Sequence, residues 1–80
     1  MLIKVLGSGC SNCQKLEENT QKALAQLNIN AKIEHVKDFV QIAKYGVMRT
    51  PALVVDEVVK VSGRVATVDE ILAILKKTNN

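Results

Sequence analysis

Aromatic residues are almost absent from this chain of 80 residues, which has one phenylalanine, one tyrosine and no tryptophan. Its 11 basic and 8 acidic residues leave a net charge of only +3, and the cations are scattered along the chain. A groove for single-stranded nucleic acid needs both stacked aromatics and clustered cations. The composition therefore argues against nucleic-acid binding.

Long uncharged apolar runs are also missing, since a bilayer span takes about 20 such residues. The N-terminal MLIKVL is interrupted by Lys4 and has no cleavage site typical of a signal peptide. We therefore expect a cytoplasmic monomer with no membrane association. Hydrophobic residues still make up 48% of the chain, which is enough for a core, and the length predicts one domain over residues 1–80.

The apolar pattern predicts seven elements in the order β-α-β-α-β-β-α. Four stretches have the composition typical of strands: residues 2–6, 31–36, 52–55 and 58–62. A helical repeat extends from about residue 11 to 27, and Asp38 caps a short helix that ends at Gly46. Thr67 and Glu70 form a capping box that opens a final helix. We expect an α/β fold with a four-stranded mixed sheet and helices on both faces.

Only two cysteines are present, Cys10 and Cys13, too few for a disulfide-stapled scaffold. They follow the first strand, where the predicted helix begins and its unpaired N–H groups stabilise an anion. That position lowers the pKa of Cys10, whereas Cys13 lies on the apolar stripe, where burial raises the pKa of a thiol. The pair predicts thiol–disulfide exchange: Cys10 attacks a target disulfide, and Cys13 resolves the mixed disulfide.

The same two thiolates allow an alternative, because Cu(I) accepts two soft ligands. Small copper chaperones also carry a Cys-x-x-Cys between a first strand and a first helix. They run β-α-β-β-α-β, however, and usually have methionine two residues before the first cysteine, where this chain has Ser8. A structural zinc site needs four ligands, and His35 is the only histidine. A soft-metal or metalloid carrier stays open as the second function.

Thr50-Pro51 opens the third predicted strand. The order of a strand, a Cys-x-x-Cys, a helix and then this dipeptide is similar to that of the thioredoxin and glutaredoxin superfamily. In particular, the sequence resembles the small thioredoxin-like redox-active disulfide proteins of bacteria and archaea. The resemblance spans almost the whole chain and rests on three segments: GSGCSNC at 7–13, YGVMRTPALVV at 45–55 and SGRV at 62–65. It implies a thioredoxin-like fold and a disulfide oxidoreductase that needs no metal or organic cofactor.

The resemblance also implies a substrate site and partners. Pro51 matches the position of a cis proline that faces the disulfide, and the Thr50 backbone would pair with an extended substrate segment. We expect Ser11 and Asn12, which lie between the cysteines, to belong to the substrate site and to tune the redox potential through local hydrogen bonds. Gly63 matches in part the glycine turn with which glutaredoxins bind glutathione. The partners would be target protein disulfides and an electron donor, either a thioredoxin reductase-like enzyme or glutathione.

The charged residues near the cysteine motif differ from the pattern of the thioredoxin family. The first strand lacks the buried carboxylate of thioredoxins, and we expect Lys4, its only charge, to snorkel towards solvent. We expect Tyr45 to pack against the short helix. Arg49 and Arg64 flank the loops predicted near the first cysteine. Their charge would lower its pKa and favour acidic partners, unless both are ordinary solvated arginines.

Overall fold

The computed structural model describes residues 1–7 and 11–78, and its elements follow the predicted order. The seven elements are β1 Leu2–Leu6, α1 Ser11–Gln26, β2 Lys32–Val36, α2 Phe39–Lys44, β3 Ala52–Val55, β4 Val58–Ser62 and α3 Val68–Thr78. Only α1 and β2 are shorter than predicted, each by one residue. Within the described ranges, none of the helices has the length and apolar character that crossing a bilayer requires.

The four strands form one mixed sheet in the order β2-β1-β3-β4. β1 is parallel to β2, with Ile3 opposite Ile33, and antiparallel to β3, with Val5 opposite Leu53. β3 and β4 form the predicted antiparallel hairpin, with an irregular register after Leu53. The expected α/β fold with a mixed sheet is thus confirmed, and β1 and β3 lie at its centre.

The predicted capping residues end or begin the helices. The Asp38 carboxylate accepts a hydrogen bond from the Val40 amide at 2.9 Å at the start of α2. In the capping box of α3, the Glu70 amide donates to the Thr67 hydroxyl at 3.1 Å, and the Thr67 amide donates to the Glu70 carboxylate at 3.2 Å. After α1, Asn28 adopts a φ of 56°, which turns the chain out of the helix.

Helices cover both faces of the sheet, as predicted. The α1/α3 face holds the larger core, formed by Ile3, Val5, Leu16, Ala23, Leu24, Leu53, Val55, Val61, Ala66, Ile71 and Leu75. The α2 face holds a smaller cluster, formed by Leu6, Ile42, Val47, Ala52 and Val54. Because side chains alternate along a strand, β1 and β3 contribute to both faces. The C-terminal end of β1 leads directly to the cysteine motif.

Candidate functional site

Cys13 lies in the first turn of α1 and is only 1% exposed. It shares the buried stripe of the helix with Leu16, as the helical spacing predicted. Ser11 and Asn12 are exposed at the beginning of the same helix. The predicted nucleophile, Cys10, lies outside the described residues. The structure therefore positions the inner cysteine of the motif and the two residues before it.

Gly7, the residue after β1, makes room for the sulfur of Cys13. A Cβ atom on Gly7 would overlap Cys13 Sγ and would lie 3.6 Å from the Cβ of Thr50. The Gly7 amide donates to the Val36 carbonyl at 2.9 Å, which holds its backbone against the end of β2. The sulfur thus lies over the backbone at the end of β1, beside Thr50. The sequence predicts only a turn at Gly7, and a glycine directly after a strand was the available signal of a close contact.

The loop before β3 lies beside the loop after β4. The Thr50–Pro51 peptide bond is cis, as the family resemblance implied, with Pro51 buried and Thr50 exposed. The Gly63 amide donates to the Pro51 carbonyl at 2.9 Å, and Ala52 pairs with Ser62 in the sheet. The structure therefore brings Thr50, Pro51 and Gly63 together at the end of the sheet that also holds Cys13.

The two arginines near these loops have different surroundings. Arg64 Nη2 lies 2.6 Å from Glu70 Oε2. This hydrogen-bonded pair raises the pKa of the Arg64 guanidinium and lowers the pKa of the Glu70 carboxyl. The side chain of Arg49 instead lies over Gly63, with its Cβ 3.1 Å and its Cδ 3.5 Å from the point where a Gly63 Cβ would be. Within residues 1–7 and 11–78, no carboxylate forms an ion pair with Arg49.

Known proteins match this chain over nearly its full length. Residues 1–76 match the model of a thioredoxin domain family. The chain belongs to the thioredoxin family. A thioredoxin of Methanothermobacter thermautotrophicus strain Delta H is 44% identical over 75 residues, which are 94% of this chain and 97% of that protein. A thioredoxin of Methanocaldococcus jannaschii is 37% identical over 76 residues, 95% of this chain and 87% of that protein. Thioredoxins are thiol–disulfide oxidoreductases, and this chain is an enzyme of that class.

For a member of the thioredoxin family, the chain has an unexpected cation in β1. Lys4 Nζ donates to the Tyr45 hydroxyl at 2.7 Å and lies 2.9 Å from Glu57 Oε1. The Tyr45 hydroxyl in turn donates to the Glu57 carboxylate at 3.2 Å. Hydrogen bonds from Tyr45 and Glu57 raise the pKa of Lys4, and the Lys4 ammonium lowers the pKa of Glu57. Tyr45 and Glu57 therefore hold the Lys4 ammonium group, and the sequence predicted neither of these two partners.

This polar cluster of Lys4, Tyr45 and Glu57 joins three segments: β1, the end of α2 and the β3–β4 turn. Tyr45 also packs against the α2 face, which agrees with its predicted structural role. No sequence pattern indicated the cluster. Its members are separated by 41 and 12 residues along the chain, so only the folded sheet brings them together.

Other candidate ligands take part in structural contacts. His35 Nε2 lies 3.1 Å from Glu17 Oε2, which connects β2 to α1. In the part of the chain that the structure describes, no group of three or more histidine, cysteine, aspartate or glutamate side chains could hold a metal ion. The element order also has a helix after the β3–β4 hairpin, unlike the β-α-β-β-α-β order of copper chaperones.

Proposed function

We propose that this thioredoxin-family protein, folded as a single domain over residues 1–80, reduces disulfides in target proteins with Cys10 and Cys13. The Cys10 thiolate attacks one sulfur of the target disulfide, forms a mixed disulfide and releases the first target thiolate. The Cys13 thiolate then attacks the Cys10 sulfur and releases the second target thiolate. Two electrons have passed to the target, and the protein holds a Cys10–Cys13 disulfide.

The burial of Cys13 carries this proposal. Cys13 is 1% exposed and its sulfur lies over Gly7. A protein substrate cannot reach a side chain buried in this way, so the first attack falls to the other cysteine of the motif. Burial also disfavours the reactive thiolate. Two residues lie between the two cysteines, and side chains three positions apart share one helix face. The geometry therefore supports Cys10 as the attacking thiol and Cys13 as the resolving thiol.

The residues beside Cys13 support a groove for the target. Thr50 is exposed next to the Cys13 sulfur, and its backbone would pair with an extended segment of the target. Pro51 and Gly63 are joined by a backbone hydrogen bond and would form the floor of the groove. Ser11 and Asn12 are exposed at the start of α1, where they would face the bound segment. A reductase or glutathione would return the pair to its dithiol form.

A trapping experiment tests the two cysteine roles. The Cys13→Ser variant keeps the attacking thiol but has no resolving thiol, so it should accumulate a mixed disulfide with a protein substrate such as insulin. Mass spectrometry after acid quenching should place the bound target on Cys10. Dithiothreitol-driven turnover should fall to background in Cys13→Ser, and Cys10→Ser should give neither turnover nor an adduct.

Two results would contradict the proposal. An adduct that forms as readily on Cys13 in the Cys10→Ser variant would show that the two thiols are equivalent. A reduced, metal-free wild-type protein that leaves insulin disulfides intact but binds one equivalent of Cu(I) would favour the carrier function instead. The Cu(I) titration should therefore be run on the same reduced sample.

A further inference from the structure

Arg49 is held at the rim of the proposed groove by its own side-chain stem. It immediately precedes Thr50, and its Cβ, Cγ and Cδ lie over Gly63, at 3.1, 3.9 and 3.5 Å from the point where a Gly63 Cβ would be. Gly63 has a φ of 76° and donates its amide hydrogen to Pro51, so the residue under Arg49 is itself tied to the groove. Any side chain at position 63 would displace Arg49.

Within residues 1–7 and 11–78, the charge of Arg49 has no carboxylate partner. Glu70 neutralises Arg64 at 2.6 Å, but no carboxylate of the described residues pairs with Arg49. Residues 8–10 lie outside the described residues; their sequence is Ser-Gly-Cys, which contains no acidic side chain. A guanidinium presents five donors in a fixed fork that matches a carboxylate in two-point contact. An exposed arginine whose stem is packed, and whose charge no carboxylate of the described residues pairs, is suited to bind a carboxylate of the target.

We propose that Arg49 selects the substrate: it binds an acidic side chain next to the target disulfide, so that acidic segments are reduced in preference to neutral or basic ones. This inference rests on the proposed disulfide reduction and adds the chemical class of the target. Arg64 does not share the role, because its guanidinium is already engaged by Glu70.

Three synthetic peptides test the selection. Each carries the same intramolecular disulfide, and they differ only in having glutamate, glutamine or lysine beside the first cysteine. The second-order rate constant for oxidation of the pre-reduced protein is measured by acid quenching and mass spectrometry, at low and at high salt. For the wild-type protein, we expect the rate constant to be highest with the acidic peptide, lower with the neutral peptide and lowest with the basic peptide. The differences between the three rate constants should become smaller in high salt, because salt screens surface charges.

Arg49→Gln should slow the reaction with the acidic peptide by about threefold at low salt, the order expected of one exposed charge pair. The neutral peptide should react at nearly the wild-type rate. Arg49→Lys should retain part of the preference, since it keeps the charge and loses the two-point geometry. Lys32→Gln is the matched control, because it makes the same charge change at the opposite end of β1 and β2. Arg64→Gln is a second control beside the groove.

Three results would overturn the proposal. The first is a wild-type protein that reduces all three peptides equally fast. The second is an Arg49→Gln variant that slows all three by the same factor, which would indicate a structural role for Arg49. The third is a Lys32→Gln variant with the same loss as Arg49→Gln, which would indicate net charge alone. A wild-type protein that fails to reduce even the neutral peptide would instead refute the proposed function, and the selection with it.

Discussion

The two faces of the sheet are stabilised in different ways. Among the described residues, eleven buried side chains form the core of the α1/α3 face, whereas five form the cluster of the α2 face. The α2 face adds the polar cluster of Lys4, Tyr45 and Glu57. The buried thiol belongs to the helix on the heavily packed face, and Thr50 follows the helix on the lightly packed one. Apolar packing therefore positions the buried thiol of Cys13, while a few apolar and polar contacts position the segment that leads to Thr50.

The length of α2 explains much of the difference. It has six residues, and only Ile42 of them is buried, whereas Phe39 and Val40 are 74% and 63% exposed. A helix this short has little intrinsic stability and depends on its caps and on tertiary contacts. Asp38 supplies the N-terminal cap, and the hydroxyl of Tyr45 connects the other end to β1 and the hairpin turn.

The largest loss of stability is expected from a substitution that leaves a cavity in the α1/α3 face. Leu16→Ala should lower the free energy of unfolding by about 3–5 kcal/mol, since Leu16 is fully buried and a core closes only partly around a deleted side chain. Urea denaturation followed by circular dichroism gives the value. Val40→Ala on the exposed side of α2 is the control and should stay within about 0.5 kcal/mol of wild type. Equal losses in the two variants would show that α1 does not form the core.

A cavity in the α2 face should lower the free energy of unfolding less than a cavity in the α1/α3 face. We expect Ile42→Ala to lower the free energy of unfolding by about 2–3 kcal/mol, because its cluster is small and borders solvent, so it can close around the missing atoms. The measurement is again urea denaturation, under the same conditions as for Leu16→Ala. A loss as large as that of Leu16→Ala would remove the contrast between the faces.

Gly7→Ala tests the contact that joins the sheet to the thiol. The added methyl would overlap Cys13 Sγ, and overpacking of this kind should lower the free energy of unfolding by about 1–2 kcal/mol. Cys13→Ala removes the sulfur, so Gly7→Ala should lower the free energy of unfolding much less in a protein that already carries Cys13→Ala. The double-mutant cycle by urea denaturation measures this coupling. Additive effects of the two substitutions would mean that the sulfur does not lie over Gly7.

The smallest change in stability, which depends on pH, is expected from a substitution in the polar cluster of Lys4, Tyr45 and Glu57. The Lys4 ammonium lowers the pKa of Glu57 below its ordinary value of 4.5 in the folded protein. The stability that the Lys4–Glu57 pair adds to the folded protein is therefore present above about pH 4.5. It is lost as the pH falls through the lower pKa that Glu57 has in the folded state. Glu57→Gln should reduce the loss of thermal stability that occurs as the pH falls below the ordinary glutamate pKa of 4.5, because the variant has no carboxylate to protonate.

Glu70 provides the comparison for this last prediction, because Arg64 also lowers the pKa of the Glu70 carboxyl. Glu70→Gln should reduce the same acid-side loss independently, so the double variant should depend on pH less than either single variant. An unchanged pH profile in Glu57→Gln, measured by thermal melts at several pH values, would show that the Lys4 pair adds nothing to stability. In that case the α2 face would be held by its apolar cluster alone.

Local patterns predicted the elements and the buried position of Cys13. The strands, the caps at Asp38 and Thr67, and the buried stripe with Cys13 all follow from periodicity and backbone hydrogen bonding. These features depend on residues a few positions apart, so the sequence contains them directly. The family resemblance added the cis bond before Pro51, which the periodicity of the chain does not indicate.

The sequence by itself determined the order of the elements, the helix that begins at the cysteine motif and the burial of its inner cysteine. The tertiary structure alone decided that Gly7 lies under the Cys13 sulfur and that Lys4 pairs with Tyr45 and Glu57. It also decided that Arg49 forms no ion pair with a carboxylate of the described part of the chain. Helices and strands follow from hydrogen bonds and hydrophobic spacing within a short segment. The partners of a side chain follow from which strands become neighbours, and that is settled only when the whole sheet and its helices pack.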